Sequence, residues 1–96
     1  MSERITKRHL VAQMDNINNA LGYTGQLWQT IDGRNIATVG MLALDGAYGG
    51  WRVERMSNTG GGVSFVGHSY RMTARECYYM LRGMYDVLFI AREARS

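Results

Sequence analysis

The sequence has no proline and a single cysteine, Cys77. One cysteine excludes an internal disulfide and a cysteine-rich zinc site, so a reducing intracellular setting is the default expectation. No apolar run approaches the roughly 18–20 residues of a membrane-spanning helix, and the first residues, MSERITKRH, lack the apolar segment of a signal peptide. We therefore expect a cytoplasmic protein.

Lysine is also scarce, because ten of the eleven basic residues are arginine and only Lys7 is lysine. Arginine suits planar, bidentate recognition of phosphate or carboxylate, although a GC-rich coding bias produces the same skew. The net charge of +3 could attract an anion but is too small to coat a nucleic-acid duplex. With 96 residues, of which 46% are hydrophobic, the chain predicts one globular domain.

Glycine is abundant, with 12 residues, and much of it lies in two clusters, at 46–50 and 60–62, that flank a predicted strand. Tight turns are one interpretation of both clusters. The other is that exposed amides contact a phosphate or nucleotide, while Tyr48 or Trp51 offers a flat face to a base. Neither cluster matches the phosphate loop of nucleotide-binding proteins.

The order of elements predicts an α+β domain, in which an antiparallel sheet of three to four strands is flanked by an N-terminal helix and a long C-terminal helix. The dipeptide Asp32-Gly33 favours a two-residue hairpin turn. Thr73 and Glu76 form a capping box that starts the last helix, of about twenty residues. The predicted helix 2–20 is followed by strands at 27–31, 35–44, 51–57 and 63–66.

The last helix is apolar around most of its circumference, which is typical of a helix buried on two sides. One stripe should face the core, and it contains Ala74, Cys77, Tyr78, Leu81, Met84, Tyr85 and Leu88. A second apolar surface predicts a homodimer or a higher symmetric oligomer, with a monomer that exposes a few apolar side chains as the alternative. The predicted interface consists of Tyr79, Met80, Gly83, Val87 and Ile90.

Arg71 and Arg75 lie on either side of the predicted start of the last helix. Because a helix N-terminus presents unpaired amides and the positive end of the helix dipole, two guanidinium groups there predict an anion site. The alternative is that Arg75, on the polar side of the helix, only faces water.

The sequence gives little sign of catalysis. His9 and His68 are the only histidines, and neither has a carboxylate at metal-ligand spacing. Cys77 is expected to be a buried, inert thiol, although the first turn of a helix could lower its pKa. Ser64 and Ser69 have no base at a recognisable spacing. We therefore expect a protein that is not an enzyme and needs no cofactor or metal.

Part of the sequence resembles the anti-Thoeris sponge family, whose members are small α/β proteins of tailed phages and prophages. The resemblance lies in two stretches, LDGAYGGWRVERMSNTGGGVS and RMTARECYYMLRGM. The resemblance covers about the last fifty residues. It implies an immune-evasion protein, acting in the host-cell cytoplasm, that sequesters cyclic ADP-ribose signals without catalysis. Some members of that family also hold cyclic oligonucleotides.

The resemblance also implies dimers built through the long C-terminal helices, often gathered into hexamers, with ligand pockets between subunits. Its pattern has an aromatic residue in the AYGG segment, an asparagine after the next strand and an arginine at the start of the last helix. Tyr48, Asn58 and Arg75 occupy those places. The complete predicted ligand set is Tyr48, Gly49, Trp51, Asn58, Arg71 and Arg75, to which the N-terminal half could add Arg4 or Arg8.

Two other functions are compatible with the sequence. The first is a protein-binding inhibitor of a host defence complex, similar to an anti-CRISPR protein, for which small size and positive charge are the motivation. The second is nucleic-acid binding, which is the weaker option because the basic residues are spread over several elements and form no single stripe.

Overall fold

The computed structural model describes residues 4–47, 49–67 and 70–95. Within these ranges the chain forms two helices and five strands, and the predicted α+β class is confirmed. The elements in chain order are α1 (Lys7–Ala20), β1 (Trp28–Ile31), β2 (Arg34–Ala37), β3 (Leu42–Ala47), β4 (Gly50–Met56), β5 (Val63–Val66) and α2 (Ala74–Arg95).

The strands form two antiparallel sheets: a hairpin of β1 and β2, and a three-stranded sheet in the order β3-β4-β5. The prediction of one strand over 35–44 is wrong, because the chain turns between β2 and β3. Gly40 has a φ of +90°, which strands do not adopt, and its amide donates to the carbonyl of Met56. This turn carries the chain from the hairpin to the larger sheet.

The predicted two-residue turn is confirmed in the hairpin. Asp32 and Gly33 have φ values of 52° and 77°, and Ile31 pairs with Arg34 across them. Positive φ at both central residues matches the twist of the flanking strands, which is why Asp-Gly is favoured there.

Helix α1 begins later than predicted, at Lys7, and ends where predicted. The Nδ1 atom of His9 accepts a hydrogen bond of 3.0 Å from the main-chain N–H of Thr6, the N-cap residue. Gly22, with a φ of +93°, follows the last turn. Residues 1–3, which the predicted helix included in part, lie outside the described residues.

Helix α2 starts with the predicted capping box. The amide of Glu76 donates to Oγ1 of Thr73 at 3.1 Å, and the amide of Thr73 donates to Oε1 of Glu76 at 3.0 Å. The core-facing stripe is also confirmed, since Cys77 and Leu81 are fully buried and the other five predicted residues pack against the core. The buried core consists of Leu10, Met14, Ile17, Leu42, Val53, Met72, Cys77 and Leu81.

Asn18 joins α1 to the sheet. It is a buried polar residue, 3% exposed, and its side-chain amide bonds both main-chain groups of Leu42 on the edge strand β3. Oδ1 accepts from the Leu42 N–H at 2.9 Å, and Nδ2 donates to the Leu42 carbonyl at 3.1 Å. The oxygen and the nitrogen of the Asn18 amide thus each have a partner, and so do both main-chain groups of Leu42.

Candidate ligand-binding site

The candidate site lies at the end of the sheet where β3 turns into β4, and Asp45 is at its centre. Oδ2 of Asp45 accepts a hydrogen bond from Nη2 of Arg52 at 3.0 Å and another from Nη2 of Arg71 at 2.9 Å. Nη1 of Arg71 also donates to the main-chain carbonyl of Asp45 at 3.2 Å. One carboxylate therefore orients two guanidinium groups, which remain partly open to solvent.

The two arginines hold the pKa of Asp45 below its usual range. The hydrogen bond from Arg52 is the largest cause and that from Arg71 the next, while partial desolvation acts in the opposite direction. The carboxylate is therefore charged at neutral pH and keeps its two cationic partners in place.

The same end of the sheet is attached to the segment that leads into α2. The main-chain N–H and carbonyl of Trp51 bond the carbonyl and N–H of Met72, both at 2.8 Å. Gly50 lies so close to Arg71 that a Cβ atom added to it would be 2.6 Å from the Arg71 Cβ. These contacts fix where Arg71 and the start of α2 lie relative to the turn.

The ring of Trp51 lies across its strand partner, Gly46. A Cβ atom on Gly46 would be 2.8 Å from Cε3 of the ring, so only glycine leaves room for the tryptophan there. Trp51 is half-buried and also packs against the hydrophobic core. On the same strand, the guanidinium of Arg52 stacks on Phe65 of β5 at 4.7 Å from the ring centre.

Arg75 lies in the first turn of α2 and is exposed. The amides of Thr73 and Glu76 are already occupied by the capping box, and the Glu76 carboxylate complements the helix dipole at this end. The capping box thus already uses some of the main-chain amides of the anion site that Arg71 and Arg75 predict, and the Glu76 carboxylate supplies a negative charge there. Three arginines against two carboxylates still leave this end of the domain positively charged.

Asn58 lies at the opposite end of β4, in the loop to β5. Its Oδ1 accepts from the amides of Gly60 and Gly62 at 3.0 and 2.9 Å, so the side chain holds its own loop together. The ring of Trp28 covers Gly61. Seven residues of strand β4 separate the two ends by roughly 20 Å, and Asn58 is not part of the Trp51 site within one chain.

The predicted ligand residues therefore divide into two groups. Trp51, Arg71 and Arg75 lie around the β3–β4 turn and the start of α2, next to exposed Gly49, whose φ is +75°. Asn58 lies at the far end, and Tyr48 lies outside the described residues. Arg4 and Arg8 are both exposed, and Arg8 lies on α1.

Sequence reasoning missed the central role of Asp45 and the contribution of Arg52. A signal for part of this arrangement was present, because Asp45 and Arg52 lie opposite one another on the paired strands β3 and β4. Opposite charges that face each other on neighbouring strands attract. The contact with Arg71, which is 26 residues further along the chain, has no comparable local signal.

Of the residues considered for catalysis, the structure describes His9, Ser64 and Cys77. Cys77 is fully buried, and burial raises the pKa of its thiol to about 11. The alternative prediction, that its position in the first turn of a helix lowers this pKa, is therefore wrong. His9 caps α1 and meets the ring of Tyr78 edge-on at 6.3 Å. His68 and Ser69 lie outside the described residues, and Ser64 is exposed on β5. In the described ranges, no three acidic, cysteine or histidine side chains are grouped to hold a metal.

The surface of α2 that faces away from the core is strongly apolar. Tyr79, Val87 and Ile90 of the predicted interface are 60%, 66% and 65% exposed, and a side chain at Gly83 would meet no atom within 4 Å. Met80 differs from the prediction, since it is half-buried and packs against the core.

An open apolar cavity of about 710 Å³ borders this surface. Its walls come from α1, the larger sheet and α2, including Ile17, Leu42, Val66, Met84 and Leu88, with Arg55 as the charged residue. Nε of Arg55 donates to the Gly40 carbonyl at 3.1 Å. The cavity lacks the cluster of cations found at the Trp51 end of the sheet.

Neither helix in the described part of the chain is both long and apolar enough to cross a membrane. No family model, curated protein or solved structure matches the chain.

Proposed function

We propose that the protein is a non-enzymatic sponge that binds and sequesters a cyclic nucleotide signal of the cyclic ADP-ribose type. The observation that carries the proposal is the grouping of Trp51, Arg71 and the Arg75-bearing start of α2 at one end of the sheet. The sequence resemblance to the anti-Thoeris sponge family supports it. In this role the protein would counter an anti-phage defence from within the host cytoplasm.

The chemistry of the site suits such a ligand. A cyclic ADP-ribose presents an adenine face and a pyrophosphate, for which an aromatic ring and guanidinium groups are the matching partners. Asp45 holds Arg71 in place, and Glu76 caps the start of α2. The ligand would bind to these two features. Exposed Arg75 is the residue we expect to bind phosphate.

A complete site would need more than one chain. Asn58 lies roughly 20 Å from Trp51 along β4, so an amide side chain could reach the ligand only from a second copy. We therefore propose a homodimer, or a hexamer built from three such dimers, with pockets between subunits. A sponge without turnover also needs nanomolar affinity, which corresponds to about −12 kcal/mol.

The test is a thermal-shift and calorimetry screen against cyclic ADP-ribose isomers and cyclic di- and trinucleotides. One of these compounds should raise the melting temperature and bind with a nanomolar dissociation constant. Heating the complex should then release the compound unchanged. Recovery of a cleaved product would contradict the sponge and indicate an enzyme.

Arg75→Ala should abolish binding of that compound while the protein stays folded and keeps its size in gel filtration. The matched control is Arg34→Ala, which removes another exposed arginine, on strand β2 far along the chain from the site. Calorimetry on both variants separates the outcomes. Equal loss of affinity in the two would mean that general positive charge, and not the site, attracts the ligand.

The exposed apolar surface of α2 favours a second candidate, a protein-binding inhibitor of a host defence complex. Side chains such as Val87 and Ile90 are about two-thirds exposed, as in surfaces that bind another protein. A pull-down from host lysate discriminates between the two. One stoichiometric protein partner, without heat-extractable small molecule in the purified sample, would support the inhibitor against the sponge.

A further inference from the structure

Arg55 occupies a position of strand β4 where the fold favours an apolar residue. Because side chains alternate along a strand, Arg55 lies on the same side of the sheet as Val53, which is fully buried. Its partner on β3 is Leu42, a residue of the buried core. A charged side chain at a core-facing position departs from the usual pattern of a strand, and such departures are expected at functional sites.

The guanidinium of Arg55 is anchored to the turn between β2 and β3. Its Nε donates to the carbonyl of Gly40 at 3.1 Å, and Gly40 has a φ of +90°. The phenol of Tyr23 lies so close to Gly40 that a Cβ atom there would overlap it. The turn that supplies the acceptor is therefore constrained, and it holds Arg55 in one orientation.

The two Nη groups of Arg55 remain available to a ligand. Nε is only one of the N–H donors of an arginine side chain. The ion pairs found among the described residues both belong to Asp45, and no group in those ranges accepts a hydrogen bond from Nη of Arg55. The fork of the two Nη groups matches the two oxygens of a carboxylate.

These donors border the open apolar cavity of about 710 Å³. Among the described residues that line it, Arg55 is the only one with a polar side chain. Sites for small molecules have volumes of about 300–1,000 Å³ and combine an apolar lining with a few polar groups that orient the ligand. The cavity has this composition, with one cation beside an apolar body.

We propose that the cavity binds a single-chain amphiphilic carboxylate of the fatty-acid class. The alkyl chain packs against side chains such as Ile17, Met84 and Leu88, and the carboxylate accepts hydrogen bonds from the Nη groups of Arg55. Charge complementarity selects this occupant. A neutral chain would leave the guanidinium without an anion, and an alkylammonium would bring two like charges together.

This site is separate from the Trp51 site. Arg55 is four residues from Trp51 on β4, which is roughly 13 Å, and neither Trp51 nor Arg71 is among the described residues that line the cavity. The proposal therefore goes beyond the cyclic nucleotide sponge. Calorimetry with each class of ligand separates the two, because binding of one class without the other would support one site and contradict the other.

The first test compares head groups on one chain length. Calorimetry should give a micromolar dissociation constant for decanoate, kept below the concentration at which it forms micelles. Decanol should bind about tenfold more weakly or worse, because it lacks the charge that pairs with Arg55, and decyltrimethylammonium should bind most weakly. The absence of decanoate binding, or equal binding of the three compounds, would overturn the proposal.

The length of the chain tests the apolar part of the site. From octanoate to dodecanoate, each added methylene should tighten binding by up to about fourfold, since more apolar surface leaves water. Affinity that does not change with chain length would mean that the carboxylate is attracted without entering the cavity, which contradicts the proposal.

Arg55→Gln tests the charged group. It should weaken decanoate binding by about 10- to 100-fold, because hydrogen bonds to an ionised partner are lost, and should change decanol binding little. Arg55→Lys keeps the charge and should bind decanoate more tightly than Arg55→Gln does. The control is Arg34→Gln, which removes an exposed arginine on β2. An equal loss in the control would mean that general positive charge attracts the ligand and would overturn the proposal.

Val87→Asp tests the wall of the cavity and leaves Arg55 in place. Val87 lines the cavity and is 66% exposed, so the fold should tolerate an aspartate there, while its charge repels the carboxylate. The matched control is Ile90→Asp, because Ile90 is 65% exposed on the same helix and is not among the described lining residues. Decanoate should lose affinity for the first variant only.

These two variants also identify a competing occupant. Val87 and Ile90 both belong to the predicted oligomer interface, so a second copy of the chain that covers the cavity would respond to both substitutions. Sedimentation at increasing decanoate concentration completes the test. Decanoate binding that appears only when the protein dissociates to monomers, or that falls equally in both variants, would assign the cavity to the second copy and overturn the proposal.

Discussion

The two ends of strand β4 are held by different kinds of interaction. At its start, the carboxylate of Asp45 binds two arginines, so the end is charged and partly open. At its end, Asn58 bonds the amides of its own loop and Trp28 covers Gly61. The first arrangement consists of ion-paired side chains that stay partly exposed, whereas in the second a neutral amide bonds only its own loop. This difference favours ligand binding at the Asp45 end and a structural role at the Asn58 end.

The largest effect should follow from Gly61→Ala at the structural end. Gly61 has a φ of +97°, and a Cβ atom there would lie 2.7 Å from Cη2 of Trp28. Backbone strain and overpacking together should lower the free energy of unfolding by about 2–4 kcal/mol.

Urea denaturation measures this change, with Gly60→Ala as the control. Gly60 has no positive φ, and an added Cβ would lie 3.4 Å from Oδ1 of Asn58. If both variants lose the same stability, the loop does not depend on the Trp28 contact.

A smaller effect is expected for Asn58→Ala, which removes the acceptor of two amide hydrogen bonds. Because the loop is exposed, water partly replaces that acceptor, and we expect a loss of about 1–2 kcal/mol. Asn58→Asp keeps an oxygen acceptor in place and should retain most of the stability in thermal unfolding. Equal destabilisation by both changes would show that the amide group acts in some other way.

Asp45→Asn should have the smallest effect on stability at neutral pH, about 1 kcal/mol or less, because the ion pairs are partly exposed to solvent. Its effect depends on pH. Since the folded-state pKa of Asp45 is lowered, its stabilisation is present above the unfolded value of about 3.9 and is lost as the pH falls through the folded value.

The wild type is therefore expected to be more stable than Asp45→Asn at neutral pH. This difference in the free energy of unfolding should disappear as the pH falls from roughly 5 to below the folded-state pKa of Asp45. Urea midpoints of both proteins, measured from pH 7 down to pH 2.5, test this. A constant difference over that range would mean that Asp45 stabilises the turn by packing and not by charge.

The sequence was sufficient for features whose signals are local. Thr73 and Glu76 are three residues apart and form the capping box that they predict, and Asp32-Gly33 forms the hairpin turn. The core-facing stripe of α2 also follows from its spacing. In each case the residues that decide the structure are neighbours in the chain.

Features that depend on distant contacts were not predictable in the same way. Gly40 breaks the predicted strand because its amide bonds Met56 and its φ is positive, and neither fact is visible in an apolar run. Arg71 contacts Asp45 because Met72 pairs with Trp51, a main-chain contact without a sequence signature. The candidate site depends on these long-range contacts, so its residues could be predicted only in part.

The bond pattern of Asn18 has a consequence for how copies of the chain can associate. Strand β3 is an edge of the larger sheet, and an open edge is a template on which another chain can add a strand and aggregate. At Leu42 both edge groups are already bonded by the Asn18 amide. Replacing Asn18 with an apolar residue should therefore do more than loosen α1: it should expose a strand edge and favour uncontrolled polymers over defined oligomers.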